Sequence, residues 1–312
     1  MTMPLKKIVI VGPGAMGCLF AGMLQSSERE IRLLDKDPER ASIINNQGIN
    51  ILRDEEKQVV AVKATAEPSD IGPADLVIIC VKSYDTKSAA LAASKAAGEK
   101  TLVLTLQNGT GNVETLAEVF GPERVMGGTT AQGANLVDTG KVRHAGAGET
   151  VLGELYGGTG RAEEVASLFN SCGLPARATQ DISGVIWSKL VINVAINALT
   201  AILGVRNGAL AETEATQQIM KEAIKEVMAV SNKKGIELML DDPLERAIQV
   251  SQATARNISS MLQDVRAKRE TEIDSINGAV AREAASLGIS APVNLTLTRL
   301  VKAIEETYEK KL

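Results

Sequence analysis

The sequence predicts a doubly wound α/β domain followed by an all-α domain, and three observations carry that reading. Short, nearly continuous apolar runs alternate with helix-period segments through the first half of the chain. A glycine-rich turn, Gly12-Pro13-Gly14-Ala15-Met16-Gly17, follows the first of those runs directly. After Ala178 the strand patterns vanish, and helix-period segments continue to Leu312. The expected organisation is a Rossmann-type domain over residues 1–180 and a helical domain over 181–312, with a ligand cleft where the two meet.

Four runs read as strands of a parallel sheet covered on both faces: KIVIVG (7–12), EIRLLD (30–35), DLVIICVK (75–82) and TLVLTLQNG (101–109). AMGCLFAGMLQ, DPERASIINN, DTKSAALAASKAAG and NVETLAEVF lie between or after them and read as helices. INILRDEEKQVVAVKAT (49–65) looks like a hairpin excursion with a charged turn. A glycine-rich β region then runs from Val125 to about Gly158, before a helix around RAEEVASLFNSCG. No repeat or low-complexity linker separates the halves.

Composition excludes several classes. The chain has 312 residues, 45% hydrophobic and 23% charged, with a formal net charge of −4. Neither a basic excess nor aromatic residues (three Phe, three Tyr, one Trp) are available for nucleic acid. No apolar run is read as long and uncharged enough to span a membrane. Cys18, Cys80 and Cys172 are odd in number and widely spaced, which suits a reducing cytoplasm. His144 is the only histidine and lies in VRHAGAG, far from any evident partner. Histidine triads and multi-histidine metal sites are therefore excluded, and acid–base work falls to Lys, Glu, Asp, Tyr or Cys.

The glycine turn fits GxGxxG after a strand and at a helix start, the arrangement that cradles a dinucleotide pyrophosphate. Asp35 ends the second strand, where a carboxylate suits the ribose hydroxyls of NAD(H). Lys36 follows and suits the 2′-phosphate of NADP(H), so the choice stays open. Lys82 and Asn108 end the next two strands, at the edge where ligands of open α/β sheets bind.

WSKLVINVAINALTAI (187–202) is the most informative stretch. Lys189, Asn193 and Asn197 recur every four residues in an otherwise apolar helix, so at about 3.6 residues per turn they share a face. A single lysine there would snorkel, and single amides would bond within a core. Three on one face read as the wall of a cleft.

That helix, Asn207 in GVRNGAL, and ARNISSMLQDVRAKRETEIDSINGAV together resemble the 2-dehydropantoate 2-reductase (ketopantoate reductase) family. That family joins a GxGxxG domain to a helical domain with a WxKLxxNxxxNxLTA helix and a later NxxSMxxDxxxxRxTEIDxxNG segment. The resemblance covers nearly the whole chain. It implies NAD(P)H-dependent reduction of 2-dehydropantoate to pantoate, a step toward pantothenate and coenzyme A, with hydride passing from nicotinamide to the C2 ketone. By the resemblance Lys189 is the proton donor, and Asn193, Asn197 and Asn207 hold substrate. Asn257 and Ser260 take its carboxylate, while Glu272 completes the catalytic site against the cofactor. Lys82 and Asn108 lie near the nicotinamide end, and Thr271 caps a helix that fixes Glu272. The family places a small residue and then a basic one after the second strand. Asp35-Lys36 departs from that, which leaves NAD(H) beside the NADP(H) the resemblance implies. A small 2-oxo acid is the expected partner, with a homodimer as the family default. The rivals are a β-hydroxyacid or polyol-phosphate dehydrogenase and a non-catalytic dinucleotide sensor.

Overall fold

The computed structural model describes residues 5–53, 56–156 and 158–310. It divides into two compact units: Met1–Gln107 with Asn112–Ile182, and Asn108–Gly111 with Ser183–Leu312.

The first unit begins β1 (Lys7–Val11), α1 (Ala15–Leu24), β2 (Glu30–Leu34) and α2 (Pro38–Gln47). Three short strands follow, β3 (Ile49–Arg53), β4 (Glu56–Val60) and β5 (Lys63–Thr65). Then come β6 (Ala74–Ile79), α3 (Thr86–Ala93), β7 (Ala97–Thr105) and α4 (Asn112–Phe120). Strands β8 (Val125–Thr130), β9 (Gly133–Asp138), β10 (Lys141–Gly146) and β11 (Thr150–Glu154) precede α5 (Gly160–Ser171) and β12 (Ala176–Thr179).

Eight strands form one sheet in the order β12-β11-β8-β7-β6-β1-β2-β5. All neighbours are parallel except β11 on β8. β1 lies between β2 and β6, with Ile8 opposite Ile31 and Leu76. Crossing from β1 to β2 on one side and to β6 on the other opens the crevice that a doubly wound sheet offers at its carboxyl edge.

A second sheet, β4-β3-β10-β9, was not expected from the sequence. The 49–65 segment does supply a hairpin, β3 against β4, but β3 also pairs in parallel with β10 from the glycine-rich region. The expected charged turn, Asp54 and Glu55, lies outside the described residues. α1 packs on both β1 and this small sheet, which explains why it is apolar nearly all round. Gly22 permits the approach, since a Cβ there would lie 2.6 Å from Ile51 Cδ1. Phe20 of α1 meets Phe169 of α5, ring centroids 5.7 Å apart.

The second unit is helical: α6 (Ile182–Leu203), α7 (Glu214–Lys233), α8 (Pro243–Ala253), α9 (Ser260–Arg266), α10 (Asn277–Ser286) and α11 (Pro292–Glu306). Thr213, Asp242 and Ser259 cap the starts of α7, α8 and α9 through their side-chain oxygens. α11 is capped from outside: the Glu226 carboxylate of α7 accepts from Val293 N (2.8 Å) and Asn294 N (2.9 Å). The core gathers on α6, where Leu190, Val191, Val194, Ala195 and Ala198 are buried with Met220, Val227 and Val280.

One expectation needs correction. α6 is in fact long and apolar enough to cross a membrane by length and composition, because Lys189 is the only charge in its 22 residues. Two-thirds of its apolar window is buried within the protein, as befits a core helix. Among the helix-period segments of this unit, loops at 254–259 and 267–272 flank the short α9.

The second of those loops leaves α9 through Lys268, the only non-glycine residue with positive φ (50°) among the described residues. Its N–H bonds Val265 O, a helix stop that glycine fills without a Cβ penalty. Lys268→Gly should therefore stabilise the fold by about 1 kcal/mol. The exposed Lys268–Glu309 pair it removes contributes little. A urea midpoint equal to or below the parent's would contradict this.

Candidate functional site

The glycine turn is built as a phosphate cradle. Gly12 has φ +91°, and a Cβ there would meet Val81 Cγ1 at 2.6 Å. At Gly17 a Cβ would lie 2.1 Å from Gly12 O, so both positions require glycine for packing. Gly14 differs: it is the N-cap of α1, and a Cβ there would meet nothing within 4 Å. The backbone at the start of α1 thus faces open space, and the first turn (Ala15, Met16, Gly17) carries no acid to oppose an anion. Pro13 O accepts from the Cys18 thiol (3.2 Å), which steadies the turn. These residues fit a dinucleotide pyrophosphate.

Asp35 is buried, and both of its carboxylate oxygens accept hydrogen bonds. Arg40 donates to both oxygens, Nε to Oδ2 (2.9 Å) and Nη2 to Oδ1 (2.5 Å). Lys36 N (2.7 Å) and Asp37 N (3.2 Å) donate to Oδ1 as well. Asp37 caps α2, and that cap sets Arg40 in the first turn facing back to Asp35. Beside the ribose contact that the sequence reading offered it, the carboxylate ties down the end of β2. Lys36 is exposed and bridges to Asp85 (2.8 Å). Lys82 is half-buried just after β6 and begins the 3-10 turn Ser83–Asp85.

Asn108 is half-buried after β7 and belongs with the helical unit. There Thr110 N donates to Ser275 O (3.0 Å). Gly109 (φ +83°) makes the approach possible, because a Cβ would lie 2.2 Å from that same oxygen.

On α6, Lys189 and Asn193 are half-buried and Asn197 is buried. Burial lowers the Lys189 pKa to about 8, against the charge of Glu272, which raises it. Glu272 itself is buried, at the start of the 3-10 turn Ile273–Ser275. Thr271 acts as expected only in part: its hydroxyl accepts from Ile273 N (3.2 Å), fixing the turn after Glu272 rather than a full helix. Asn193 Nδ2 is buried with no partner among the described residues, and so is Asn207 Oδ1. A donor and an acceptor stand ready in one unit, and such groups are costly unless a ligand or water meets them.

Asn207 also holds the loop that carries Asn257. Its backbone N donates to Asn257 O (3.1 Å) and its Nδ2 to Thr254 Oγ1 (2.9 Å). Asn257 is exposed in that loop, and Ser260 is half-buried as the first residue of α9. Ser259, which sequence reasoning missed, joins this loop to α6 through Thr200 Oγ1 (2.7 Å). Its place two residues after Asn257 and just before a helix was a legible capping signal.

Other acid–base candidates recede. Burial pushes the Cys18 and Cys80 thiols up to about 12, so both stay neutral. His144 does have a partner, contrary to expectation: Nε2 lies 2.8 Å from Gln132 Oε1 in the small sheet. Asp264 is a structural charge, buried against Arg269 (3.0 Å). No cluster able to hold a metal occurs among the described residues.

The fold and site together define a dinucleotide-binding α/β protein with a helical second unit in which a half-buried lysine faces the charge of a buried glutamate. Residues 8–157 match the family described as Ketopantoate reductase PanE/ApbA, and residues 181–305 match its C-terminal part, Ketopantoate reductase PanE/ApbA C terminal. The chain belongs to this family. It is 38% identical to the 2-dehydropantoate 2-reductase of Halobacterium salinarum, over 95% of this chain and 98% of that one. The crystal structure of a PanE/ApbA family ketopantoate reductase from Ralstonia eutropha superposes with a TM-score of 0.88 at 34% identity, covering 97% and 99% of the two chains. A D-mandelate dehydrogenase in ternary complex with NADH and anilino(oxo)acetate gives 0.90 at 28% identity, covering 97% and 99%.

The lowered Lys189 pKa has a measurable consequence for stability. Between about 8 and the ordinary lysine value of 10.5 the unfolded chain binds more protons at this residue than the folded one. Stability contributed by this group therefore rises with pH across that window. Compared with Lys189→Met, the native protein should gain melting temperature from pH 8 to 10.5; a constant difference would contradict the lowered pKa.

Proposed function

We propose that this protein is an NADPH-dependent reductase that converts 2-dehydropantoate (ketopantoate) to pantoate. When bound, the nicotinamide supplies the hydride for the C2 ketone. The protein's part is to hold the keto acid, stabilise the charge developing on the carbonyl oxygen and deliver a proton there. Lys189 is the donor in this reading. One observation carries it: the Lys189 ammonium is drawn to about 8 beside Glu272, one helical turn before the buried, unpartnered Asn193 Nδ2. An ammonium poised near neutrality stabilises an oxyanion and also gives up its proton readily.

Asn193 Nδ2 as donor and Asn207 Oδ1 as acceptor suit a substrate that carries carbonyl, carboxylate and hydroxyl oxygens, as ketopantoate does. Asn197 extends the same face, while Asn257 and Ser260 are assigned the carboxylate. Glu272 holds the Lys189 charge and accepts from the substrate hydroxyl. Lys82 and Asn108 are assigned to the nicotinamide end.

The preference for NADPH rests on Asp35. Its carboxylate is buried and ion-paired with Arg40, so it does not repel a phosphate as an unpaired charge would. Lys36 and Arg40 leave cationic groups at this end of β2.

A screen of 2-oxo acids and of 3-hydroxy acids with both nicotinamides separates this reading from its rivals. Ketopantoate-dependent NADPH oxidation is expected. Clear turnover of a 3-hydroxy acid or a polyol phosphate without it would overturn the assignment, as would dinucleotide binding with no turnover at all. Lys189→Ala should lower kcat by roughly 10²–10⁴-fold with NADPH affinity unchanged; near-normal kcat would remove Lys189 from the mechanism. Arg40→Ala removes a cation and uncovers Asp35. The ratio of kcat/KM for NADPH over NADH should fall roughly 10-fold or more, the scale of a lost charge-assisted bond. An unchanged ratio would show that this pair does not read the phosphate.

A further inference from the structure

Behind Asn193, a chain of buried polar side chains runs through four helices. Asn277, the first residue of α10, is fully buried. Its Nδ2 donates to Val194 O of α6 (a long bond, 3.3 Å) and to Asn294 Oδ1 of α11 (3.0 Å). Asn294, also fully buried, donates through Nδ2 to Glu226 of α7 (2.7 Å) and to Ala223 O (3.0 Å). A buried amide chain is a costly way to fill a core that apolar side chains would fill as well. What it adds is direction: each bond holds only at one axial and rotational setting of the helices it joins.

Asn277 occupies a particular junction. Along the chain it follows Glu272 by five residues, through a turn closed by Ser275 N to Glu272 O (3.1 Å) and Ser275 Oγ to Glu272 O (3.0 Å). Across space it grips α6 at Val194, the residue after Asn193 and five after Lys189. We propose that Asn277 is a positioning residue that sets Lys189 and Asn193 on α6 against Glu272, acting through the Val194 carbonyl. This rests on the reductase reading for its kinetic consequence, but not for its geometry.

The mechanism is mechanical. Lys189 and Glu272 come from elements 83 residues apart, so no local backbone bond fixes their separation. Asn277 joins the helix of one to the turn of the other. Its Oδ1 is buried with no partner among the described residues, so the donated bonds alone orient the amide. Glu226, at the far end of the chain, steadies Asn294 and the start of α11 through bonds that all go to α11.

The test compares Asn277→Ser and Asn277→Ala with Glu226→Gln, each assayed as the full chain. All three weaken the same buried chain, so all should lower the melting temperature. Only the Asn277 variants should lower kcat, by roughly 10–100-fold, the scale of an ångström-sized misplacement. The KM for NADPH should stay unchanged, and Asn277→Ser, which keeps a donor, should be the less impaired. A second readout needs no substrate: the titration of Lys189 followed by NMR after 13C reductive methylation, assigned with Lys189→Arg. Its midpoint, about 8 in the parent, should move in the Asn277 variants and stay in Glu226→Gln. If kcat and that midpoint follow melting temperature equally in all three, Asn277 is a structural residue and the proposal is wrong. If the parent does not reduce ketopantoate but the midpoint moves as stated, the functional reading fails and the positioning role stands.

Discussion

The second unit is organised around one awkward requirement, an ammonium on the helix that forms its core. Apart from Asn193 and Asn197 on the same face, most of α6 favours burial, and Val191, Val194, Ala195 and Ala198 have no exposed surface. A charge on such a helix is tolerable only if a counter-charge is brought to it or its proton is loosened, and both happen at Lys189. Glu272 is the counter-charge, and the irregular course of the chain from Thr254 to Asn277 follows from delivering it. A continuous helix there would set residues by its own period. Two loops, a seven-residue α9 and a 3-10 turn instead bring Ser259, Glu272 and Asn277 to α6 separately.

The first unit solves a different problem, that of receiving a large anion without a committed cation. Its glycines divide the work: Gly12 and Gly17 let the turn close upon itself, and Gly14 leaves the helix start open. Pairing Asp35 with Arg40 extends this logic. The acid that anchors the end of β2 is neutralised where it sits, so it does not extend a field across the cradle.

Features that depend on neighbours in sequence were legible from it. The apolar runs that became β1, β2, β6 and β7 carry their burial in their composition, and the stripe on α6 follows from helical period alone. The pairing of β3 with β10 was not legible, because it joins residues about ninety apart and neither strand signals its partner. The engagement of Asp35 was closer to hand. Asp37 followed by Pro38 announces a helix start, and a first-turn arginine five residues after Asp35 is placed to reach it. Read as a ribose ligand or as a strand-end surface charge, Asp35 was not given that nearer partner. Asn277 and Asn294 gave no sign of their burial, since polar residues near helix starts are ordinarily exposed or capping.

The buried acids themselves distinguish architecture from chemistry. Asp35, Glu154 and Asp264 are each buried against an arginine, Arg40, Arg161 and Arg269. A guanidinium keeps its proton at any pH the protein meets, so these pairs hold geometry and charge without exchanging a proton. Glu226 has no cation and is held by the backbone of α11 and by Asn294, again a structural task. Glu272 is the remaining buried acid among the described residues, and its partner is a lysine. A lysine is the weaker choice for a permanent anchor, being a single point of charge whose proton burial loosens. That same property is what a proton donor requires. The contrast between three arginine pairs and one lysine pair sets Lys189–Glu272 apart as the buried acid's pairing whose cation can change protonation state, which is what the proposed role of Lys189 requires.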